Sequence, residues 1–527
     1  MKLIKSIGKT YIPKRLSYAR VLKSGFIVIL ILGIGLRFWN IDKSFYWGDE
    51  VRTSLRASGY TKEEIQQSYD GQIIDVDSLR KYQFPNPEKD LNDTVKALMS
   101  RPEHPPLYYL MARFWMQGFG DSVGVIRSLS ALISLIAFPA IYWLCLELFE
   151  SPVVGWTAIA IIAVSPLHIL YAQEARQYSL WTVAILLSSA ALLRAIRLKR
   201  KIDWGIYTLT LTLGMYSHLL FAAVALGQGL YVLSLEGLRF NKTVIRYLAA
   251  ASISALTFMP WVGVMIANLA YTSAAIVEGQ KDETLFYLID RWFRNINRVF
   301  FNADLGSANS ILVIFTLYSI YFLCRHTPKR VWLFLINLIG VTALSLIVPD
   351  LILGGWRSVA IRYLIPCYLG IQIAIAYFFS TQIAFIKTWK QRVWQLVLMT
   401  ILLTGLITGT IQSQQEVVWS KDADKAEFYL EIAQLIDQTP RPLIISDTSP
   451  IDVLTLSYKL NPNIQLQLVN ETYRPNIPDG FSNVFLLSPS DSLRKSFKKQ
   501  RIYKLKLIKK LGSDLNENPH IWEIIKR

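Results

Sequence analysis

Residues 45–54 read FYWGDEVRTS, and two adjacent carboxylates, Asp49 and Glu50, stand just after the first strongly apolar stretch. Acids in that place admit two kinds of work. If a helix runs through DEVRTSLRAS they complement its dipole, with Arg52 or Arg56 as ion-pair partners. If they belong to a site, they are ionisable groups kept at membrane depth, where charge is costly and marks function.

Four other short stretches hold the remaining candidates. RPEHPPLYY (101–109) carries Glu103, His104 and Tyr108, with Pro105 and Pro106 fixing how the chain enters the next segment. YAQEARQY (171–178) carries Gln173, Glu174, Arg176 and Tyr178. MYSHLL supplies Tyr216 and His218, and GGWRSVAIRYLIP supplies Arg357 and Arg362. Singly, each reads as an interfacial anchor or a snorkelling group. Acids, arginines and histidines gathered on one face of a bundle read as a site.

The elements that would position them are membrane helices. Of 527 residues 52% are hydrophobic and only 18% charged, with a mean hydropathy of +0.32. Soluble proteins carry about 25% charge. Here the apolar residues come in blocks of about 18 to 25, enough to cross a bilayer. The net charge of +18 is no sign of nucleic-acid binding, because seven Lys or Arg and no acid fill the first 23 residues, directly before the first span. Such placement marks a cytoplasmic flank against anionic lipid. No small-residue cleavage site follows ILGIGLRFW, so the first span is expected to be retained. Cys145, Cys324 and Cys367 lie in or beside expected spans and support neither disulfides nor a cysteine metal site.

Expected spans are 24–39, 124–149, 153–172, 178–198, 204–217, 219–236, 247–268, 307–324, 331–348, 363–385 and 393–411. Parity decides the short aromatic segment 105–120, which has Arg113 in its middle. If it lies flat, the basic loops RLKRK, RFNKTVIR, RHTPKR and KTWKQR all share the cytoplasm with the N-terminus. If it spans, all four move outside, against the positive-inside rule. About 11 spans follow, with 105–120 interfacial. The candidate residues and the tail then share the non-cytoplasmic side. Loop 269–306, with Arg291, Arg294 and Arg298 at near-helical spacing, is expected there as a surface helix, either over the site or simply anchoring the bundle.

Residues 1–411 thus form a transmembrane domain whose first extracytoplasmic loop is 40–123. Residues 412–527 change character. PLIISD, IQLQLV and NVFLLS read as strands, with helical stretches at 450–460 and 490–500, so a small α/β domain is expected. It contains no glycine-rich phosphate loop.

DE after the first span, HPPLYY closing the first long loop, QEARQY about 70 residues on and RYLIP opening a late span resemble membrane-embedded C-type glycosyltransferases. The nearest group is the bacterial relatives of dolichyl-phosphate-mannose protein mannosyltransferases, including lipid A aminoarabinose and lipopolysaccharide-core sugar transferases. The resemblance covers roughly residues 20 to 385. It implies an inverting enzyme of the bacterial plasma membrane that takes a sugar from a polyprenyl phosphate on the extracytoplasmic face. The acceptor would be a glycolipid, polysaccharide or protein hydroxyl.

By that analogy Asp49 is the general base, and Glu50 orients the acceptor or Asp49 itself. Arg176, Arg362, Arg357 and His104 would bind the donor phosphate; His104 stands where some relatives have lysine. Glu103, Tyr108, Gln173, Glu174, Tyr178, Tyr216 and His218 would line the substrate site. No cofactor is assigned and a divalent cation stays open: Glu50 and His218 are the residues that could touch one, but no spacing commits a metal site. A transporter or lipid flippase is the alternative, although it would need its polar groups near the midplane.

Overall fold

A computed structural model describes residues 16–237, 239–269, 283–304, 306–385, 389–470, 477–500, 502–515 and 518–527. Most of the basic N-terminal flank and residues 270–282 of the expected 269–306 loop lie outside the described residues. The chain divides into two compact units. The first takes Arg101–Leu107, Ser130–Ser413 and the described part of Met1–Trp39; the second takes Asn40–Ser100, Tyr108–Leu129 and Gln414–Arg527.

The first unit is helical. Among the described residues six helices are long and apolar enough to cross a membrane: Val123–Phe149, Tyr178–Leu198, Lys242–Ala267, Lys329–Leu353, Ile361–Ile383 and Trp389–Gln414. A seventh span is formed if Pro152–Val164 and Pro166–Ala172, bent by 63°, count as one. Ser24–Phe38 and Phe221–Leu235 are apolar but shorter. Each expected span coincides with helix, and six or seven of them meet the length and composition of a full crossing.

The bend has a local cause and a local remedy. Pro166 has no N–H to give the carbonyl four residues back, and Ser165 is extended at φ −64°, ψ 120°. The carbonyls of Ile162 and Ala163 would otherwise be stranded. Arg37, 1% exposed, donates to both, at 3.1 and 2.8 Å. It also reaches Gly33 O at 2.7 Å and Ser134 Oγ at 3.1 Å, and its guanidinium lies 4.7 Å from the Phe138 ring centre. Gly33 permits the approach, because a Cβ there would fall 2.5 Å from Ala163 O.

The second unit is built on a six-stranded sheet. Its strands are β1 (Asp70–Asp75), β2 (Pro442–Ser446), β3 (Gln465–Val469), β4 (Asn483–Leu487), β5 (Tyr503–Lys510) and β6 (His520–Lys526), in the order β1-β3-β2-β4-β6-β5. The central pairs β2–β3 and β2–β4 are parallel and the outer pairs antiparallel. Parallel strands need crossovers, here partly helical through Pro450–Ser457. Leu443, Ile445, Val484, Leu486 and Ile524 form one face of the core, closed by Leu493 and Phe497 from helix Asp491–Lys499. The edge strand β1 comes from the first loop, pairing Ile73 with Gln467 and Asp75 with Gln465. Arg113, in the middle of helix Leu107–Phe119, is spent inside this unit, donating to Ala57 O, Thr94 Oγ1 and Lys89 O at 2.7–3.2 Å.

Candidate functional site

Each unit holds part of the expected set. In the first, the chain turns sharply at 173–177, between helices Pro166–Ala172 and Tyr178–Leu198. Arg176 sits in this turn, 2% exposed, with its guanidinium 5.9 Å from the Tyr178 ring centre. Its Nη2 lies 3.3 Å from His104 Nε2, and the amide end of Gln177 lies 3.5 Å from Nδ1 of the same ring. A guanidinium only donates, so Nε2 must offer its lone pair. The contact places His104 beside the Arg176 guanidinium.

His218 caps helix Lys201–Ser217 and stacks on Trp181 with centroids 4.2 Å apart and planes at 12°. Its Nδ1 accepts from the Leu220 amide at 3.2 Å. Burial first, then the positive charges of Arg176 and Arg362, push this imidazole down to about 3. It is therefore uncharged at neutral pH. Arg362 stands on the short turn Ile361–Leu364 that opens helix Ile365–Phe385, 5.3 Å from the Tyr363 ring centre.

Helix Leu285–Phe300 adds a third arginine to this group. Trp292 Nε1 donates to Ser358 Oγ at 3.1 Å and Asn295 Nδ2 to Val359 O at 2.7 Å, fixing the helix to the turn Arg357–Val359. Burial, with Arg291 and Arg294 next to it, lowers Arg298 to about 10. The Tyr178 ring centre lies 4.9 Å from that of Tyr171 and 6.1 Å from that of His218, which in turn lies 6.2 Å from that of Tyr363. Arg176 and Arg362 thus stand on the aromatic rings that flank His218, and Arg298 lies on the helix fastened beside them. Glu174, 1% exposed, and Tyr178, 2% exposed, are buried near them.

Other expected residues have structural partners. Gln173 Nε2 donates to Leu36 O at 2.7 Å and Trp39 O at 2.8 Å, which satisfies the end of helix Leu16–Phe38. The Tyr216 hydroxyl donates to Thr257 O at 2.6 Å, bracing two helices. Glu103 is half-buried next to Pro102, whose carbonyl accepts from Trp261 at 3.1 Å. Arg357 is half-buried on its turn.

In the second unit, Asp49 and Glu50 occupy the first turn of helix Gly48–Ala57, which has no side-chain N-cap. Both acids therefore meet the positive end of the helix dipole. Their surroundings differ. Asp49 is 21% exposed and meets Arg52 Nη1 at 3.0 Å. Glu50 is fully buried, with both oxygens 2.7 Å from Arg127 nitrogens and Oε2 3.3 Å from Lys421 Nζ. Arg127 further donates to the carbonyls of Ile41, Ser44 and Phe45 at 2.9–3.1 Å. One carboxylate between two cations ties the helix start to the tail. Tyr108 is fully buried, edge-on to Tyr109 at 6.0 Å.

Sequence reasoning passed over Arg127 and Lys421. Arg127 had a signal, a charge inside the apolar run VGVIRSLSALISL. Lys421 had none. Among the described residues no cluster of three or more His, Cys, Asp or Glu is arranged to hold a metal.

Residues 103–263 match the family model described as dolichyl-phosphate-mannose-protein mannosyltransferase. No curated protein sequence matches the chain significantly. Among solved structures, ArnT from Cupriavidus metallidurans bound to undecaprenyl phosphate is 12% identical with a TM-score of 0.54, over 95% of this chain and 98% of that one. Its apo form gives 0.50 at the same identity and coverage. AglB, the oligosaccharyltransferase of Archaeoglobus fulgidus, with an inhibitory peptide and a dolichol-phosphate, gives 0.49 at 12% identity, over 93% of this chain and 73% of that one. The resemblance read from the motifs therefore stands: the chain shares its fold with ArnT, and the stretch carrying HPPLYY, QEARQY and MYSHLL is similar to the protein mannosyltransferase family.

Proposed function

We propose that the protein is an inverting glycosyltransferase that moves a sugar from a polyprenyl-phosphate donor to an acceptor hydroxyl on the extracytoplasmic side of a bacterial plasma membrane. The observation that carries this is the placement of Arg176 and Arg362 on the Tyr178 and Tyr363 rings that flank His218, with Arg298 on the helix fastened beside them. Planar guanidiniums in a poorly solvated place suit a phosphate leaving group, because each offers two parallel donors as charge builds on the oxygens. His218 adds no cation, and His104 holds Arg176 in place. The ArnT structure containing undecaprenyl phosphate has the same fold and supports the donor class.

In the proposed reaction Asp49 takes the proton of the acceptor hydroxyl as its oxygen attacks the anomeric carbon. The bond from that carbon to the donor phosphate oxygen breaks, and polyprenyl phosphate leaves with the electron pair. Glu50, held by Arg127 and Lys421, positions Asp49. Glu103, Glu174 and Tyr178 are proposed to contact the sugar. Gln173, Tyr108 and Tyr216 are proposed to support the scaffold instead.

The test is transfer kinetics with a synthetic short-chain polyprenyl-phosphate sugar. Lysine cannot reproduce a bidentate fork, so Arg362→Lys should lower kcat/KM about 10-fold or more, roughly 1.4 kcal/mol. Lysine performing as well as arginine would return Arg362 to a headgroup anchor.

A further inference from the structure

The sheet of the second unit changes direction at β2. From β2 the chain passes through helix Pro450–Ser457 to β3 on one side, whereas β4 pairs on the other side. Where parallel strands diverge in this way, a crevice opens beyond their carboxyl ends, and ligands bind there. A cavity of about 390 Å³ occupies that place, within the range of about 300–1,000 Å³ usual for small-molecule sites.

Its walls include Lys425, Asp447, Asp452, Ser490, Asp491 and His520. Asp447, just past β2, accepts from the Ser490 amide at 2.9 Å, which ties the two strand ends together. His520, the first residue of β6, is 1% exposed. Its Nδ1 lies 3.0 Å from Asn518 O, so that nitrogen carries the proton and Nε2 presents a lone pair. Nε2 has no hydrogen-bond partner among the described residues. Three carboxylates and one lysine give the walls an anionic, acceptor-rich character. A phosphate would be repelled, whereas a hydroxyl-rich ligand supplies the missing donors.

A second cavity of about 90 Å³ shares Lys425 and Asp452 with the first and is lined further by Trp47, Gly48 and Arg52. Arg52 is the ion-pair partner of Asp49. Lys425 and Asp452 therefore form a wall common to the crevice and to the surroundings of the proposed base.

We propose that this crevice is the acceptor subsite, binding an uncharged, hydroxyl-rich glycan with His520 Nε2 and the Asp447, Asp452 and Asp491 carboxylates accepting from its hydroxyls and Lys425 Nζ donating to one of its oxygens. Its role as acceptor subsite rests on the transfer reaction proposed above; the binding itself does not. The experiment is saturation-transfer NMR on the full-length protein in detergent, with maltotriose, chitotriose, mannotriose and inorganic pyrophosphate as probes. At least one trisaccharide should bind. His520→Phe and Lys425→Ala should each raise its Kd about fivefold or more, the worth of roughly one hydrogen bond. The Lys425 side chain is 38% exposed, so its variant keeps the test readable if His520→Phe fails to fold. Arg362→Ala should leave saccharide binding unchanged, which separates this result from failure of the donor assignment. Pyrophosphate binding in the crevice, saccharide binding that survives both variants, or binding of no trisaccharide would overturn the proposal.

Discussion

Asp49 and Glu50 are neighbours in sequence and opposites in environment. Glu50 is enclosed with Arg127 and Lys421, while Asp49 keeps a solvent-facing side and one exposed ion pair. Removing the charge of Glu50 leaves two buried cations facing each other, and such losses cost about 3–5 kcal/mol. Glu50→Gln should therefore lower the unfolding temperature in detergent markedly, whereas Asp49→Asn should hardly move it. Equal melting of Glu50→Gln and wild type would remove the positioning role. His218 makes a pH-dependent contribution of known sign. Its folded value of about 3 lies below the ordinary value of about 6.5, so the unfolded chain binds the extra proton between them. Its contribution to stability is full above pH ~6.5 and declines as pH falls toward 3. His218→Phe keeps the stacking on Trp181 and should flatten that acid slope; an unchanged slope would contradict the assignment.

At the scale of elements, the bend at Ser165–Pro166 shows how a buried charge can be structural. Arg37 supplies the donors that Pro166 and the bent backbone withhold from Ile162 O and Ala163 O. Hydrogen bonds to a charged group contribute about 1.5–3 kcal/mol each, so Arg37→Leu should destabilise by at least about 2 kcal/mol, read by thermal unfolding in detergent. The same change at exposed Arg239 should do nothing. Apolar blocks made the helices legible, and PLIISD, IQLQLV and NVFLLS made β2, β3 and β4 legible, because buried parallel strands are nearly continuous apolar runs. The edge strand β1 was not legible, since DGQIID is half polar and pairs with residues almost 400 positions away. β5, rich in lysine and mostly exposed, gave a weak pattern for the same reason. In the site, residue types showed where charge gathers, but not which charges balance which. Nothing in the sequence pairs Glu50 with Lys421, or sets His104 against Arg176.

At the scale of the whole molecule, the topology argument makes a direct forecast. Cysteines at Glu63, Ser307 and Lys495 should label with a membrane-impermeant reagent from the extracytoplasmic side, and one at Lys201 should not. Glu63 serves better than Ser58, which is fully buried. Labelling of Lys201 and Glu63 from the same side would overturn the proposed orientation.

The central claim is chemical: Asp49 moves a proton during sugar transfer from a lipid phosphate. Asparagine is nearly isosteric and keeps the helix start, so a purely structural Asp49 would lose at most about 1 kcal/mol of stability and little turnover. A general base contributes about 100-fold or more. The measurement is single-turnover transfer from a synthetic polyprenyl-phosphate sugar by purified wild type and Asp49→Asn, with donor binding measured alongside. The account predicts unchanged donor binding and a rate lower by about 100-fold or more; near-normal turnover in Asp49→Asn would contradict it.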